Sequence, residues 1–391
     1  MEIQKRTKGH RTWAEIDLDA AAYNMKQIRS ITKANILATV KADGYGHGCI
    51  NMAKTALECG AAYLGVACMD EAWQLRRHGI SAPILVLGYT EKEDMPEAVQ
   101  YDVTTTVYSY ENALALDNAA KQAGKCAKIH LKVDTGMNRV GLLAGRPEAL
   151  EEAVKIAALP HIEMEGIFSH FACSDEPENP YTQQQFERFM TFCGQLEQRG
   201  IRPRLRHICN SAATILHPEM HLDMVRPGII LYGSYPSEDV RREGFSLRPV
   251  MSVKAHVTRV AELEKGSMVS YGATYRAEQK ETIATVPIGY ADGYPRILSG
   301  KAQMIAGGEY APIVGRICMD QCMIRISNGN NIQVEDEVVI IGKQSGLSIS
   351  AEQLAKHMGS ISYELFCMIG KRVPRLYLKG GKICDVVQFL D

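Results

Sequence analysis

The sequence predicts an α/β protein: a (β/α)8 TIM barrel followed by a mostly-β second domain. Eight short apolar runs, separated by helix-like amphipathic stretches, recur between residues 36 and 231. This alternation is typical of parallel strands joined by crossover helices. After residue 244, short β-branched runs at close spacing with Gly-rich turns indicate a mostly-β domain. A doubly wound sheet would alternate in the same way, so the strand count alone leaves that alternative open.

The elements follow in chain order. Residues 12–18 alternate like a strand, and Asp19 is a candidate cap for a helix over residues 20–30. Residues 236–244 are typical of a linker, and only 351–358 and 359–366 have helical patterns after it. We therefore place the barrel at 12–236 and the β domain at 237–391, with residues 1–11 joining the latter. The eight predicted barrel strands are 36–40, 62–67, 84–88, 103–107, 128–133, 164–168, 205–209 and 224–231.

Size and composition exclude several classes of protein. With 391 residues the chain is long enough for two cores, and its formal net charge of −1 argues against nucleic-acid or anionic-membrane binding. We find no apolar stretch long enough to span a bilayer. The 11 cysteines lack paired metal-site spacing, and Cys318 and Cys322 are expected to be packing residues. We expect a cytoplasmic protein with reduced thiols and no metal.

Lys41 is the first candidate for chemistry. It ends a buried strand, where an ammonium is unfavourable unless it is paired, lowered in pKa or covalently used. The loop glycines at 44, 46 and 48 are expected to let the backbone approach a bound group. A dinucleotide-binding loop would need another glycine at the position of Cys49, so that interpretation is weak.

Active sites of such barrels lie at the carboxyl ends of the strands, and a phosphate is often held after strands seven and eight. Ser211, with the amides of Gly228 and Ile229, suits a phosphate there, although Ser211 is equally typical of a helix N-cap. A strand-end lysine opposite a phosphate site fits a Schiff base with pyridoxal 5′-phosphate, and a Schiff-base aldolase for sugar phosphates is the rival. The polar residues that follow the predicted strands are Lys41, Tyr45, Lys132, Asp134, Arg139, His170, Asn210, Ser211 and Arg226.

Nine blocks of sequence, several of them distinctive, run in order from about residue 11 to the end of the chain. The blocks are AxVKADGYGHG around Lys41, LKVDTGMNRVG at 131–141, HFACSD at 170–175, HICNSAA at 207–213, RPGIILYG at 226–233, SYGATY at 270–275, PIGYADGY at 287–294, GRICMDQ at 315–321 and SISYE at 360–364. Together they resemble the bacterial alanine racemase family. The resemblance implies a pyridoxal-phosphate enzyme with a barrel and a β domain. It also implies a head-to-tail homodimer in which the β domain of one subunit completes the site of the other.

The same resemblance assigns roles to individual residues. Lys41 would form the Schiff base and act as one base, and Tyr271 of the partner subunit would be the base on the opposite face. Groups on both faces are the simplest way to racemise a planar carbanion. The resemblance also implies that His170 hydrogen-bonds to Tyr271 and Arg226, that Arg226 contacts the pyridine nitrogen, and that Lys132 carries a carbamate. Arg139 and the Met319 amide would bind the substrate carboxylate. The cofactor phosphate would be bound by Tyr45, Ser211, Gly228, Ile229 and Tyr363, and the entrance channel would be lined by Asp175, Tyr290, Arg296 and Arg316.

Interconversion of L- and D-alanine, supplying D-alanine for peptidoglycan, is the predicted function. A racemase for serine or for several amino acids is the closest alternative, since a pocket rejects one added hydroxyl or methylene by only about 1–3 kcal/mol. A decarboxylase of the same barrel class and a non-catalytic regulatory protein are further alternatives. The block SYGATY, which carries the second base, disfavours the first, and the β domain disfavours the second. Catabolism of D-alanine stays open as a role.

Overall fold

The structure, a computed structural model, describes residues 10–388. It divides into two compact units, which we call the barrel unit and the β unit. The barrel unit contains Ala22–Gly44 and Cys49–Leu247. The β unit contains the described parts of Met1–Ala21 and Arg248–Asp391, together with Tyr45–Gly48.

The barrel unit is built on parallel strands that form a nearly closed barrel, which confirms the predicted fold class. The eighth strand pairs with the first, and two backbone hydrogen bonds link the seventh to the eighth, from the Asp223 amide to the Arg206 carbonyl and from the Arg226 amide to the Cys209 carbonyl (3.1 and 3.0 Å). A two-residue strand, Leu142–Leu143, pairs with the fifth. The eight strands are Asn35–Thr39, Tyr63–Val66, Ile84–Val86, Val103–Val107, Ala127–Asp134, Ile162–Phe168, Leu205–His207 and Met224–Val225.

Helices alternate with these strands, as the crossover connections of a parallel barrel require. An apolar cluster drawn from five strands packs in the core: Leu37, Tyr63, Leu85, Leu205 and Met224. Short 3-10 turns lie at Lys92–Asp94, Pro218–Met220 and Ile229–Tyr232. The helices are Leu18–Ile31, whose first residues belong to the β unit, and Cys49–Glu58, Met69–Arg77, Met95–Gln100, Tyr110–Gln122, Pro147–Ala157, Tyr181–Gln198 and Ser211–Leu216.

The eighth strand is shorter than its predicted run over 224–231. Only Met224–Val225 is strand, and a 3-10 turn begins at Ile229. Pro227 carries no backbone N–H for a sheet ladder, so the strand ends before it. The chain therefore turns at the carboxyl end of the barrel, where the predicted phosphate-binding amides lie.

The β unit is built on one extended sheet. The hairpin of Met268–Val269 with Tyr275–Arg276 is separate from it, and Leu347–Ile349 pairs with one of its long strands. Two helices, Ala351–Met358 and Ser362–Met368, lie near the C-terminal end of the chain, and 3-10 turns lie at Tyr271–Ala273, Tyr290–Asp292 and Arg296–Leu298. In spatial order the strands of the sheet are Arg259–Leu263, Glu281–Val286, Cys322–Ile326, Glu309–Val314, Gln303–Ala306, Glu337–Gln344, Met251–His256, Thr12–Asp17, Arg375–Lys379 and Lys382–Val387.

The N-terminal strand, Thr12–Asp17, belongs to the sheet of the β unit. It pairs antiparallel with Met251–His256 and parallel with Arg375–Lys379. The domain bounds 12–236 and 237–391 stay predictions, and this strand lies inside the first range while pairing with strands of the second. The predicted joining segment, residues 1–11, falls mostly outside the described residues.

The predicted cap at Asp19 is wrong by two positions. The first helix begins at Leu18, and the Asp17 carboxylate accepts the Ala20 amide N–H at 2.9 Å. Asp19 instead accepts the Gly380 amide N–H at 2.5 Å. A cap residue precedes the first helical residue, so the earlier start moves the role to Asp17.

Within residues 10–388, every helix is too short or too polar to cross a membrane.

Candidate active site

Lys41 stands at the start of a left-handed turn that follows the first barrel strand. Ala42, Asp43 and Tyr45 have φ of 52°, 50° and 51°, with Gly44 at 60° between them. For residues other than glycine this conformation costs roughly 1–2 kcal/mol each. Such strain persists only where the surroundings hold it, and it concentrates at functional sites. Within the barrel unit, Asp43 Oδ1 accepts the Cys49 amide N–H at 2.9 Å.

The glycines after Lys41 are needed for packing within the chain. A Cβ on Gly46 would lie 2.3 Å from the Phe366 carbonyl oxygen, and one on Gly48 would lie 1.7 Å from the Tyr377 hydroxyl. Both distances are far below contact. At 46 and 48 the missing Cβ therefore permits close approach of the chain's own atoms. The expectation that this loop also approaches a bound group stays a prediction.

Arg226 lies buried at the end of the eighth strand, with 5% of its surface exposed. Burial lowers the pKa of its guanidinium to about 10. Its Nη1 donates to His207 Nδ1 at 2.8 Å, and its Nη2 contacts the Ser169 carbonyl (2.8 Å), the Ile208 carbonyl (3.2 Å) and His170 Nδ1 (3.1 Å). A guanidinium has five N–H groups, so these four acceptors leave at least one for a ligand.

A chain of hydrogen bonds continues from Arg226 through the barrel interior. His207 Nε2 lies 2.8 Å from His130 Nδ1, and His130 Nε2 lies 3.4 Å from Glu165. Because Arg226 only donates and a carboxylate only accepts, each neutral imidazole must accept at Nδ1 and donate at Nε2. Burial, followed by the charge of Arg226, lowers the pKa of His207 well below its usual value.

Glu165 ends this chain as a carboxylate. Burial alone would raise its pKa, but hydrogen bonds from His130, Tyr63 and Arg204 outweigh burial and lower the pKa to about 2. Arg204 Nη2 donates to it at 2.7 Å. The chain of hydrogen bonds therefore runs from the positive charge of Arg226, through the imidazoles of His207 and His130, to the negative charge of Glu165.

His170 and Lys132 share the electrostatic surroundings of Arg226. Burial and the charge of Arg226 lower the pKa of His170 and of Lys132 well below their usual values. The Lys132 ammonium position lies 4.9 Å from the centre of the Phe168 ring, and the Arg226 guanidinium carbon lies 5.2 Å from it. The neutral forms of His170 and Lys132 are therefore favoured more here than in water.

Ser211 and Gly228, both predicted phosphate ligands, are in contact. The Gly228 amide donates to Ser211 Oγ at 2.8 Å. The N-cap of the helix Ser211–Leu216 is Asn210, whose side chain accepts the Ala213 amide N–H at 3.0 Å. The alternative N-cap interpretation of Ser211 is therefore wrong. Ile229 begins a helical turn, whose first amides have no acceptor within the turn itself.

Arg139 lies on a loop organised by Asp134, the buried last residue of the fifth strand. Asp134 Oδ1 accepts the amide N–H groups of Gly136 (2.8 Å) and Asn138 (3.0 Å), and Oδ2 accepts that of Arg139 (3.0 Å). The Arg139 side chain is exposed. The carboxylate therefore fixes the backbone from which an exposed guanidinium extends.

In the β unit, Tyr271 lies at the tip of the hairpin Met268–Arg276 and is 71% exposed. A Cβ on its neighbour Gly272 would lie 3.2 Å from Arg316 Nη1. Ser270 donates to the Arg316 carbonyl at 2.7 Å. These contacts bring two predicted site residues, Tyr271 and Arg316, to one place, beside a cavity of about 560 Å³ that Tyr271 helps to line.

Met319 and Tyr290 also lie together in the β unit. The Tyr290 amide donates to the Cys318 carbonyl and the Ala291 amide to the Met319 carbonyl, at 3.1 and 3.0 Å. A Cβ on Gly289 would lie 2.4 Å from the Met319 carbonyl oxygen, so only glycine permits this approach. Met319 and Tyr290 are 54% and 44% exposed.

The remaining predicted residues are distributed over both units. In the β unit, the rings of Tyr45 and Tyr363 have centroids 5.9 Å apart, and Arg296 is exposed in a 3-10 turn. In the barrel unit, Asp175 is half-buried and its carbonyl accepts from Ser237 at 3.2 Å. Residues 10–388 contain no cluster of three or more His, Cys, Asp or Glu side chains suited to a metal ion.

Sequence reasoning missed His207 and Glu165 as partners of the site. His207 lies inside the block HICNSAA and could have been singled out as a histidine at the end of a buried strand. Nothing in the sequence placed Glu165 or His130 beside it, because all three lie on different strands.

Both parts of the chain match models of one protein family. Residues 16–236 match the N-terminal domain model of alanine racemase, and residues 250–377 match its C-terminal domain model. An alanine racemase from Clostridium tetani is 47% identical over 380 residues, which cover 97% of this chain and 98% of that protein.

Solved structures of an alanine racemase and of a histidine racemase share this fold. An alanine racemase from Clostridium difficile 630 superposes with a TM-score of 0.94 at 40% identity, covering 98% of this chain and 99% of that one. A histidine racemase from Leuconostoc mesenteroides superposes with a TM-score of 0.87 at 31% identity, covering 95% and 99%. The fold therefore also occurs in a racemase named for another amino acid. On the strength of both family-model matches, the chain belongs to the alanine racemase family of enzymes.

Proposed function

We propose that this enzyme interconverts L- and D-alanine with pyridoxal 5′-phosphate as cofactor, using Lys41 and Tyr271 as the two bases. The observation that carries the proposal is the barrel mouth: Lys41 follows the first strand, and Arg226, His170 and the Ser211–Gly228 contact follow later strands. Polar groups at the carboxyl ends of barrel strands are where such folds do chemistry.

The donors present suit the proposed cofactor. We propose that the Ser211 hydroxyl and the Ile229 amide hold the phosphate, together with the Gly228 amide once it no longer donates to Ser211 Oγ, and that the phenols of Tyr45 and Tyr363 assist. Lys41 offers an amine for the aldehyde, and Arg226 retains an N–H for the ring nitrogen. When bound, the cofactor would withdraw electrons from the amino-acid α-carbon and so acidify its proton.

Arg226 would keep the ring nitrogen unprotonated. Even with its pKa lowered to about 10, a guanidinium does not give its proton to a pyridine. It would donate a hydrogen bond to that nitrogen and withdraw less charge from the ring than a proton would. We propose that this restrains side reactions that need a long-lived carbanion.

His170 has the tautomer that suits a phenolate partner. Its Nδ1 faces the donor Arg226 at 3.1 Å, so in the neutral ring Nε2 carries the proton. We propose that this Nε2–H donates to the Tyr271 oxygen of the partner subunit. Ionising an ordinary phenol at pH 7 costs about 4 kcal/mol, and a hydrogen-bond donor reduces that cost.

Arg139 and the amide of Met319 would bind the substrate carboxylate. We propose further that Lys132 carries a carbamate. Its pKa is lowered well below the usual value, first by burial and then by Arg226, and only a neutral amine reacts with carbon dioxide. Carbon-13 NMR of protein equilibrated with labelled bicarbonate should show a carbamate signal that is absent from Lys132→Ala.

The active unit would be a homodimer with shared sites. Tyr271, Met319 and Tyr290 are exposed although the proposal places them at the reacting centre or its entrance. The test mixes two inactive variants, Lys41→Ala and Tyr271→Phe. If sites are shared, random pairing makes half of the dimers mixed, each with one intact site, and activity should reach about one quarter of the wild type. No recovery would contradict shared sites.

The decisive assay incubates the holoenzyme with L-alanine and resolves the enantiomers formed, with L-serine and L-histidine in parallel. D-alanine formation well above D-serine and D-histidine supports the proposal, and a preference for serine supports the alternative. Borohydride treatment followed by peptide mass spectrometry should place the reduced cofactor on Lys41. We propose a cytoplasmic role in supplying D-alanine for peptidoglycan, tested by D-alanine dependence of growth after loss of the enzyme.

A further inference from the structure

Glu71 joins two strand ends beside Lys41. It lies in the first turn of the helix Met69–Arg77. Its Oε1 accepts the Ala42 amide N–H at 2.6 Å, and its Oε2 accepts the Ala67 amide N–H at 2.7 Å. Ala42 directly follows Lys41, and Ala67 directly follows the strand Tyr63–Val66. One carboxylate therefore links the ends of two neighbouring strands.

The linked segment is the strained one. Ala42 and Asp43 both have left-handed backbone conformations, which relax unless bonds hold them. Asp43 holds the later end of the turn through the Cys49 amide. At the earlier end, next to Lys41, the turn is held by the hydrogen bond from the Ala42 amide to the Glu71 carboxylate. Hydrogen bonds to a charged acceptor are strong enough to offset the backbone strain of one or two such residues.

We propose that Glu71 is a positioning residue for Lys41, a role that rests on the proposed function. Within residues 10–388, Glu71 accepts hydrogen bonds from the backbone amides of Ala42, next to Lys41, and of Ala67 on the neighbouring strand end. It therefore acts by fixing the direction in which the lysine side chain leaves the barrel. A displacement of about 1 Å at a reacting group lowers rates by up to about 10²-fold. Loss of the carboxylate should therefore reduce turnover more than substrate binding.

Two variants and a matched control test this role. Glu71→Gln keeps the size but only one acceptor oxygen, and Glu71→Ala removes both acceptors. Asp70→Asn removes a carboxylate from the same helical turn, where Asp70 is exposed and holds no strand end. Hydrogen–deuterium exchange on the cofactor-free proteins reports the turn directly. The Ala42 or Ala67 amide should exchange about tenfold faster in Glu71→Gln, both should in Glu71→Ala, and neither should in Asp70→Asn.

The second readout is the rate at which pyridoxal 5′-phosphate becomes borohydride-trappable on Lys41. We expect this rate and kcat to fall about tenfold in Glu71→Gln and further in Glu71→Ala, with KM for alanine within about threefold. Unchanged exchange, or a trapping rate and kcat equal to the control, would overturn the proposal. A lowered unfolding midpoint with unchanged trapping would show a merely structural role and overturn it equally. If the wild type itself forms no trappable bond at Lys41, the proposed function fails instead.

Discussion

The buried guanidinium of Arg226 donates to Nδ1 of the buried ring of His207 across 2.8 Å. This bond sets the tautomer of His207, and the His130 ring and the Glu165 carboxylate follow it in line. A donor-only cation and an acceptor-only anion thus close a polar chain across the barrel interior, in which every ring nitrogen has a partner.

The buried histidines predict how stability depends on pH. The folded-state pKa of His207 lies below the unfolded value of about 6.5, so the unfolded chain binds the proton more tightly. The contribution of neutral His207 to the free energy of unfolding is complete above pH 6.5 and decreases as pH falls toward the folded-state pKa. Between pH 6.5 and 5.5, the wild type should lose about 1 kcal/mol more unfolding free energy than His207→Gln, which cannot titrate. Urea unfolding at the two pH values measures this, and equal losses would contradict it.

Replacing Arg226, the proposed partner of the pyridoxal 5′-phosphate ring nitrogen, should change the electronic state of that proposed cofactor. Arg226→Glu introduces an acid that can share a proton with the ring nitrogen, so visible absorbance during turnover with alanine should increase. Arg226→Lys is the matched control because it remains a donor-only cation. Stopped-flow spectra of the three proteins make the comparison. Identical spectra for the Glu and Lys variants would refute the role of the donor.

Tyr271→Phe should separate the two faces of the reaction. With one base lost, exchange of the α-proton with solvent deuterium should cease for one alanine enantiomer and continue for the other through Lys41. Trapping at Lys41 should be unchanged. Single-turnover exchange of the α-proton, followed by NMR, is measured separately for L-alanine and D-alanine. Equal loss of exchange for both enantiomers would contradict the assignment of one base to each face.

Because we propose that Arg139 binds the substrate carboxylate, Asp134→Asn should weaken substrate binding by loosening the loop that carries Arg139. The asparagine oxygen can still accept from Gly136 and Asn138, but its NH2 group cannot accept the Arg139 amide N–H. Loss of one hydrogen bond to a charged acceptor should raise KM for alanine roughly tenfold. Steady-state kinetics test this. An unchanged KM with a reduced kcat would mean that the loop serves a different step.

Alternation of apolar runs along the sequence predicted the barrel, its eight strands and the β-rich second part. This succeeded because each strand and helix is specified by a local hydrophobic period. The motifs also placed Lys41, His170, Ser211 and Arg226 at strand ends. Pairing of the N-terminal strand with the β sheet was not predicted, because the partner of a strand is chosen by segments more than 200 residues away.

The sequence by itself determined which residues follow each strand and the family to which they point. Only the tertiary structure decided that Arg226, His207, His130 and Glu165 share one hydrogen-bonded line, and that Glu71 reaches the amide beside Lys41. These side chains lie on different strands and helices. Their contacts depend on barrel closure and on burial, which removes competing water, and neither leaves a periodic signal in the chain.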